Sequence, residues 1–523
     1  MARARRRTQL GQAVSQTKNV PAPVGGLNTV NSIAQMPETD AVILENWFPT
    51  PTDIEIRNGY VKHVTGIPAG YVETLMNYAS PTTTKLFAIN KPGGTANVYD
   101  VTSSGAVGAA VLTGLTNARW EYVNFNNTGG AYLYMANGVD KPYLYNGSTW
   151  TAIDGASTPA ITGVTTTKLR NPAVWKNRLW FVEDGTCNAW YLPLAAVGGA
   201  AQSIPLGAVF KMGGQLQTIF TVSIDNASSI DDYIAFLSSE GEIALYRGSD
   251  PSSAGLFGLV GLYRAGRPIG RRHVFRYGAD TVLLTIDGVV TMSKLLMSNR
   301  DNMATTLSYK IQPSISNDAS AYSGNFGWQG ILHPAGDKIL INVPQQENIT
   351  QYQYVMNTIH GSWTKYTGWN AACFELSGDK LFFGCNGFVA QCDTGASDAG
   401  DTIQGIVKPA FSYFGSTQQK SFKLMRPIFS TNGALYFSVA TPVDFSSDVP
   451  QTYPAVSNSI SAAPWDTSPW DVTSWSGDAQ IQKNWVGMAG IGFSATSYIL
   501  TASDGLSYKL LSIDYVFETG GLF

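Results

Sequence analysis

The sequence predicts an all-β chain: a β-propeller of six or seven blades, preceded by an N-terminal platform segment and followed by a C-terminal β-sandwich-like domain. Two observations carry this. A pair of short apolar strands around a glycine turn returns about every 50 residues. The composition, with 53 Gly, 25 Tyr and 13 Trp, suits tight turns and aromatic pleated strands. Asn-Gly and Asp-Gly between apolar runs are hairpin signals, because type I′ turns need φ > 0 at both central positions. One hairpin cannot bury its apolar face alone, so hairpins at this period imply blades around an axis.

Residues 1–58 form the first segment. Arg3, Arg5, Arg6 and Arg7 open a polar arm, either a solvated tail or a phosphate contact. No apolar run follows them, so the pattern is not that of a signal peptide. Pro37-Glu38-Thr39-Asp40 predicts a short helix with Val42, Ile43, Leu44 and Trp47 on its apolar side, ended by Phe48-Pro49. A strand at Ile54–Ile56 and a turn at Asn58-Gly59 follow.

Residues 59–402 carry the repeat. Hairpins turn at Gly93-Gly94, Asn137-Gly138, Asp184-Gly185, Glu240-Gly241, Asp287-Gly288 and Asn386-Gly387. From Gly138 the turn glycines are spaced by 47, 56, 47 and 99 residues. The last interval holds two blades, the unmarked hairpin being Lys338–Asn342 with Tyr352–Tyr354. The period stops at the small-residue stretch 395–400. Residues 403–523 then predict longer alternating strands at 409–414, 420–426, 433–439, 491–494 and 512–517, a sandwich pattern. Between them, Pro464-Trp465-Asp466, Pro469-Trp470-Asp471 and Ser474-Trp475 make a stiff aromatic loop, read either as a sugar-stacking surface or as an inter-subunit clamp.

Charged residues are 14% of the chain and the net charge is −3, which gives no global attraction to nucleic acid. No apolar stretch reaches the roughly 18 residues that span a bilayer, so stable membrane insertion is not expected. Cys187, Cys373, Cys385 and Cys392 fit neither a disulfide framework nor a zinc pattern and read as buried thiols. His63, His273, His333 and His360 form no ligand spacing and read as structural. Glu183-Asp184-Gly185-Thr186 is faintly similar to a sialidase Asp-box but is explained by its turn. Asp225, Asp231 and Asp232 read as solvated turn acids. No nucleophile elbow is present. No catalytic, metal or cofactor-binding residue is therefore assigned, and no enzyme activity is expected. The densest basic stretch, Arg264, Arg267, Arg271, Arg272 and Arg276 around His273, is read first as pairing with acids of a neighbouring subunit. Contact with DNA and pairing within the chain are the alternatives.

Gly25-Gly26-Leu27-Asn28, then Glu45-Asn46-Trp47, then Ile56-Arg57-Asn58-Gly59-Tyr60, in this order and ahead of the glycine-turn blades, resembles the opening of the tail nozzle proteins of short-tailed bacteriophages, the tubular protein B and packaged-DNA stabilisation family. The resemblance covers most of the chain at the level of pattern. It implies a virion structural protein: a homohexameric ring beneath the portal adaptor ring, associated with tail fibres or spikes. Such a ring retains packaged double-stranded DNA and conducts it, without sequence selectivity, into the host. The protein would fold in the host cytoplasm and reside in the virion tail. Trp47, Phe48 and Arg57 are expected to seat the N-terminal platform, and Trp465, Trp470 and Trp475 to clamp neighbouring subunits. The alternative is a carbohydrate-binding or glycan-processing propeller using the same three tryptophans.

Overall fold

Each apolar run flanking a glycine turn in the repeat forms the antiparallel pair that the pattern predicts. The structure, a computed structural model, describes residues 15–226, 229–253, 255–298, 306–458 and 479–520. It divides into two units, residues 58–361 with 366–395, and residues 1–57 with 362–365 and 396–523.

The first unit is the propeller. Four four-stranded sheets follow one another at 72–115, 121–152, 169–205 and 216–264. A three-stranded sheet at 274–291 comes next. The last blade closes the circle, because Tyr60–Thr65 pairs antiparallel with Phe388–Cys392 beside Lys380–Cys385 and Cys373–Ser377. The hairpin Lys338–Gln346 with Thr350–Asn357, flanked by Gln329–His333, adds a further antiparallel run to this unit. Closure ties the first strand of the unit to the last, so no blade is left with an unpartnered face. The helices Met292–Ser298 and Gln312–Tyr322 lie in the connection after 291. No described helix is long and apolar enough to cross a membrane.

The turns differ in detail from the type I′ expectation. Gly138, Gly185, Gly241, Gly288 and Gly387 all have φ between 76° and 111°, whereas the Asn, Asp or Glu before each keeps negative φ. Only the glycine is left-handed, as in turns where a type I bend is followed by one αL residue. Between the sheets the core is aromatic and aliphatic. Trp180, for example, is fully buried among Trp175, Tyr191, Phe236 and Phe257.

The second unit unites the chain's two ends. Ser15–Pro21 pairs with Tyr508–Thr519, which also pairs with Lys420–Thr431 and Ile54–Ile56. A second sheet places Asp40–Glu45 next to Ile403–Pro409, followed by Tyr498–Asp504 and Phe437–Ala440. The sheets meet face to face, with the Tyr508 hydroxyl donating to Thr501 Oγ1 at 2.8 Å between them. Four expectations are corrected. The predicted helix at 37–47 is the strand Asp40–Glu45, because Val42-Ile43-Leu44 is drawn into a sheet whose partner lies more than 360 residues away. Residues 15–57 are not a separate platform segment, since they supply strands to the C-terminal sheets. The propeller ends at 395 rather than 402, and the strand expected at 409–414 lies at Ile403–Pro409.

Candidate functional site in the propeller axis

The inner strands begin with polar residues, and those residues join each blade to the next. Thr74 Oγ1 donates to Ala118 O at 2.6 Å and accepts from Trp120 N at 3.0 Å. Glu121 Oε2 accepts from Asn171 N at 2.9 Å, and Asn171 Oδ1 from Ile219 N at 2.8 Å. Thr218 Oγ1 meets His273 Nε2 at 2.9 Å. Gln329 exchanges two bonds with the Phe374 backbone, and Cys373 Sγ contacts Val72 O at 3.2 Å. These ties satisfy main-chain groups that the sheets leave open at the axis.

Inside them is a cavity of about 230 Å³, touched by every inner strand through residues such as Leu75, Tyr122, Asn171, Thr218, Gln329 and Glu375. Its chemistry centres on Glu375, which borders the cavity but is otherwise enclosed by protein. Burial raises its carboxyl to about 7, opposed by a hydrogen bond from the Tyr122 hydroxyl, the Leu376 amide and the charge of Arg272. The Tyr122 hydroxyl is held well above its ordinary range, mainly by burial and further by Glu375. Glu121 Oε1, also buried, has no hydrogen-bond partner. His273 is driven the other way: burial lowers it to about 4, so the ring is neutral. Nδ1–H then donates to Gly270 O at 3.0 Å and Nε2 accepts from Thr218.

The arginine stretch is committed to its own chain. Arg272 crosses the axis from the fifth blade and donates through Nη2 to Glu73 O, Thr74 Oγ1 and Trp120 O at 2.9, 2.7 and 3.2 Å. Arg271 donates to Asn137 O at 3.1 Å. Arg267 pairs with Glu240 at 2.7 Å, and Arg276 binds Thr281 and Thr221. Arg264 is exposed. Pairing of Arg271 and Arg272 with a neighbouring subunit's acids is thus corrected: both are half-buried at the propeller's own axis.

Trp47, Phe48 and Arg57 are likewise core residues rather than a docking surface. Trp47 is 0% exposed and packs on Phe429 and Tyr508. Arg57, 2% exposed, donates from Nη1 and Nη2 to the Asp398 carboxylate at 2.8 and 2.5 Å, and from Nε to Asn46 Oδ1 at 2.8 Å. Asn46, at φ 61°, turns the chain between two strands and donates to Gln404 O. Asn28 donates to Asp40 at 2.7 Å, and a Cβ on Gly26 would lie 2.5 Å from Trp363 O. The motif residues therefore build the second unit's core.

The remaining candidates fall into place as local structure. Glu183 Oε2 accepts from Asn188 and Trp190, and Asp184 pairs with Arg170 at 2.8 Å. Asp232 lies near Lys176 at 3.7 Å and accepts from Ser223. Cys373 and Cys392 are buried, Cys187 and Cys385 only partly so, and burial pushes the Cys373 thiol up to about 12. Among the described residues no cluster of His, Cys, Asp and Glu could hold a metal ion. Arg3 to Arg7 and Trp465, Trp470 and Trp475 lie outside the described residues. Glu375, Tyr122 and Glu121 were not singled out from sequence, although lone acids in Trp120-Glu121-Tyr122 and Phe374-Glu375-Leu376 interrupt apolar strands and were a usable signal.

No known protein-family model matches the chain, and neither does any curated protein. Among solved structures it is similar to BBS1N in complex with ARL6DN, in a lead-soaked crystal (10% identity, TM-score 0.36, 66% of this chain and 100% of that one) and a mercury-soaked crystal (10%, 0.39, 65% and 99%). It is also similar to Raptor of Chaetomium thermophilum (9% identity, TM-score 0.37, 65% of this chain and 30% of that one). At these scores the likenesses carry no argument about function; the propeller stands on the strand pairing above.

Proposed function

We propose that the chain is a virion structural protein, the subunit of a ring-shaped nozzle in a short non-contractile phage tail, with no catalytic role. The observation that carries this reading is the ordered opening Gly26, Asn28, Asn46, Arg57, whose residues all serve to lock one unit together. An architectural family would place its recurring residues in this way; an enzyme would direct them at a cavity. A second feature supports assembly. The outer strand Phe257–Arg264 is eight residues long, whereas the outer strands Leu112–Leu115, Trp150–Ala152 and Gln202–Pro205 have three or four. Leu259 and Val260 on it are 48% and 51% exposed, with no charge before Arg264. Monomers usually blunt such an edge, and a ring closed by heterologous contacts would cover it.

On this reading DNA passes along the axis of the ring. The propeller's own axis is too small and is crossed by Arg272. The ring would be a hexamer that meets the portal adaptor and the tail fibres or spikes, and the protein would belong to the virion tail. Electron microscopy of the purified chain, alone and with its adaptor, tests this. A ring or tube is expected; a discrete monomer in both samples would overturn it.

A further inference from the structure

At the end of the axis where the inner strands begin lies a second cavity of about 220 Å³, enclosed by residues that include Asn117, Arg119, Arg271, Arg272, Asn325 and Phe326. Three guanidinium groups line it and no carboxylate does. Their situations differ. Arg119 is neutralised by Glu73 at 3.1 Å and by Glu347. Among the described residues, Arg271 bonds only to a main-chain oxygen, through Nη1. Arg272 bonds through Nη2 alone, to two carbonyls and a hydroxyl. Among the described residues, neither Arg271 nor Arg272 has a carboxylate within ion-pair distance. The charge of Arg272 is felt by Glu375, in the cavity on its other side, without a direct contact. The Nε and Nη2 donors of Arg271 and the Nε and Nη1 donors of Arg272 are thus left over. The Phe326 ring lies 4.3 Å from the Arg119 guanidinium carbon and 5.4 Å from that of Arg272, which holds both groups in place.

Two half-buried cations with no carboxylate in ion-pair contact, the acids Glu121 and Glu375 lining the neighbouring axial cavity instead, are costly, and an anion seated between them offsets that cost. The guanidinium fork matches an oxyanion's paired oxygens. The recess is smaller than the roughly 300–1,000 Å³ that drug-sized ligands occupy, and an ion of a few heavy atoms fits within it. We propose that the pocket binds a small oxyanion of the phosphate class, held by Arg271 and Arg272. The inference stands independently of the nozzle reading.

Calorimetric titration of the full chain with inorganic phosphate, at constant ionic strength and with acetate as comparison, tests it. Saturable phosphate binding, tighter than acetate, is expected. Arg271→Gln removes the free fork while disturbing one main-chain bond, and should weaken phosphate binding at least tenfold with the far-ultraviolet dichroism unchanged. Arg267→Gln, outside the pocket, should bind as the parent does. Absence of saturable binding, equal affinity in Arg271→Gln, an equal loss in Arg267→Gln, or acetate binding as tightly as phosphate would each overturn the proposal. Should Arg271→Gln fail to fold, Arg271→Lys decides: it keeps the charge and loses the fork, and unchanged phosphate affinity would sink the assignment.

Discussion

The two units solve the same problem, closing a β-structure, by opposite means. In the propeller nearly every strand pairs with its neighbour in sequence, and one long-range pairing, Tyr60–Thr65 with Phe388–Cys392, closes the circle. In the other unit almost every defining pair is remote: Ser15 lies opposite Glu518, and Ala41 opposite Pro409. The difference teaches where specificity must reside. Local hairpins are set by their turns, so the propeller can devote its buried polar groups to the axis. A unit assembled from distant segments needs contacts that select the right partners, and the buried Arg57–Asp398–Asn46 cluster supplies one.

The largest expected effect breaks that cluster. Arg57→Ala removes both guanidinium bonds to the buried Asp398 carboxylate, and losing one member of such a pair costs about 3–5 kcal/mol. Chemical unfolding followed by near-ultraviolet dichroism should show the transition of residues 1–57 and 396–523 moving to lower denaturant, with the propeller's transition unmoved. A loss below about 1 kcal/mol would mean that the remote strands select one another without the cluster. The paired replacement Arg57→Met with Asp398→Leu should recover much of the loss, since apolar substitutes for a buried pair are often tolerated.

Next in size are the axial groups, whose pH responses have opposite sign. Glu375 titrates near 7 in the folded chain against an ordinary value of 4.5. The folded state therefore favours the protonated form. Its contribution is fully present below about pH 4.5 and is lost as pH rises through 7, by at most about 3 kcal/mol. Glu375→Gln should stabilise the propeller at pH 8 and make no difference at pH 4.5. His273, lowered from 6.5 to about 4, does the reverse: its contribution is present above 6.5 and is lost as pH falls through 4. Thermal unfolding across pH 4–8 on the parent and Glu375→Gln checks both. A pH-independent difference between the two chains would place Glu375 in contact with water.

The same contrast explains what could be read from the sequence. Glycine turns at a steady period made the propeller legible, because strand, turn and return strand are adjacent in the chain. The helix expected at 37–47 failed because its acidic start and apolar face are local signals. The partner that draws Val42-Ile43-Leu44 into a sheet is the remote strand Ile403–Pro409, with Lys408 opposite Ile43 and Val407 opposite Leu44. The arginine stretch was visible as a stretch; its direction was not. That Arg272 reaches Thr74 and Trp120 depends on blade closure, which no local pattern encodes. A smaller effect probes that closure. Thr74→Val keeps the shape but leaves Trp120 N without its acceptor, and should cost about 1–3 kcal/mol in the propeller's transition alone. A shift in the other unit's transition instead would contradict the assignment of Thr74 to the axis.

The smallest effect separates members of the arginine stretch from one another. The Arg267 side chain is 64% exposed, and it meets Glu240 at 2.7 Å. An exposed pair contributes about 0–1 kcal/mol and is screened by salt, so Arg267→Gln should leave stability almost unchanged. It remains informative about nucleic acid. If the exposed part of the stretch neutralises phosphates on duplex DNA, each lost contact lowers the log–log salt slope of binding by about 0.9. The committed positions of Arg271 and Arg272 leave few arginines here to make such contacts, and a conduit needs a low barrier to sliding. Anisotropy titrations with several duplexes across a salt series should therefore give weak, sequence-independent binding with a shallow slope, which Arg267→Gln changes by about one phosphate at most. Sequence-selective binding that survives physiological salt would defeat the conduit reading, and the contrast between paired and unpaired arginines would then need a nucleic-acid ligand to explain it.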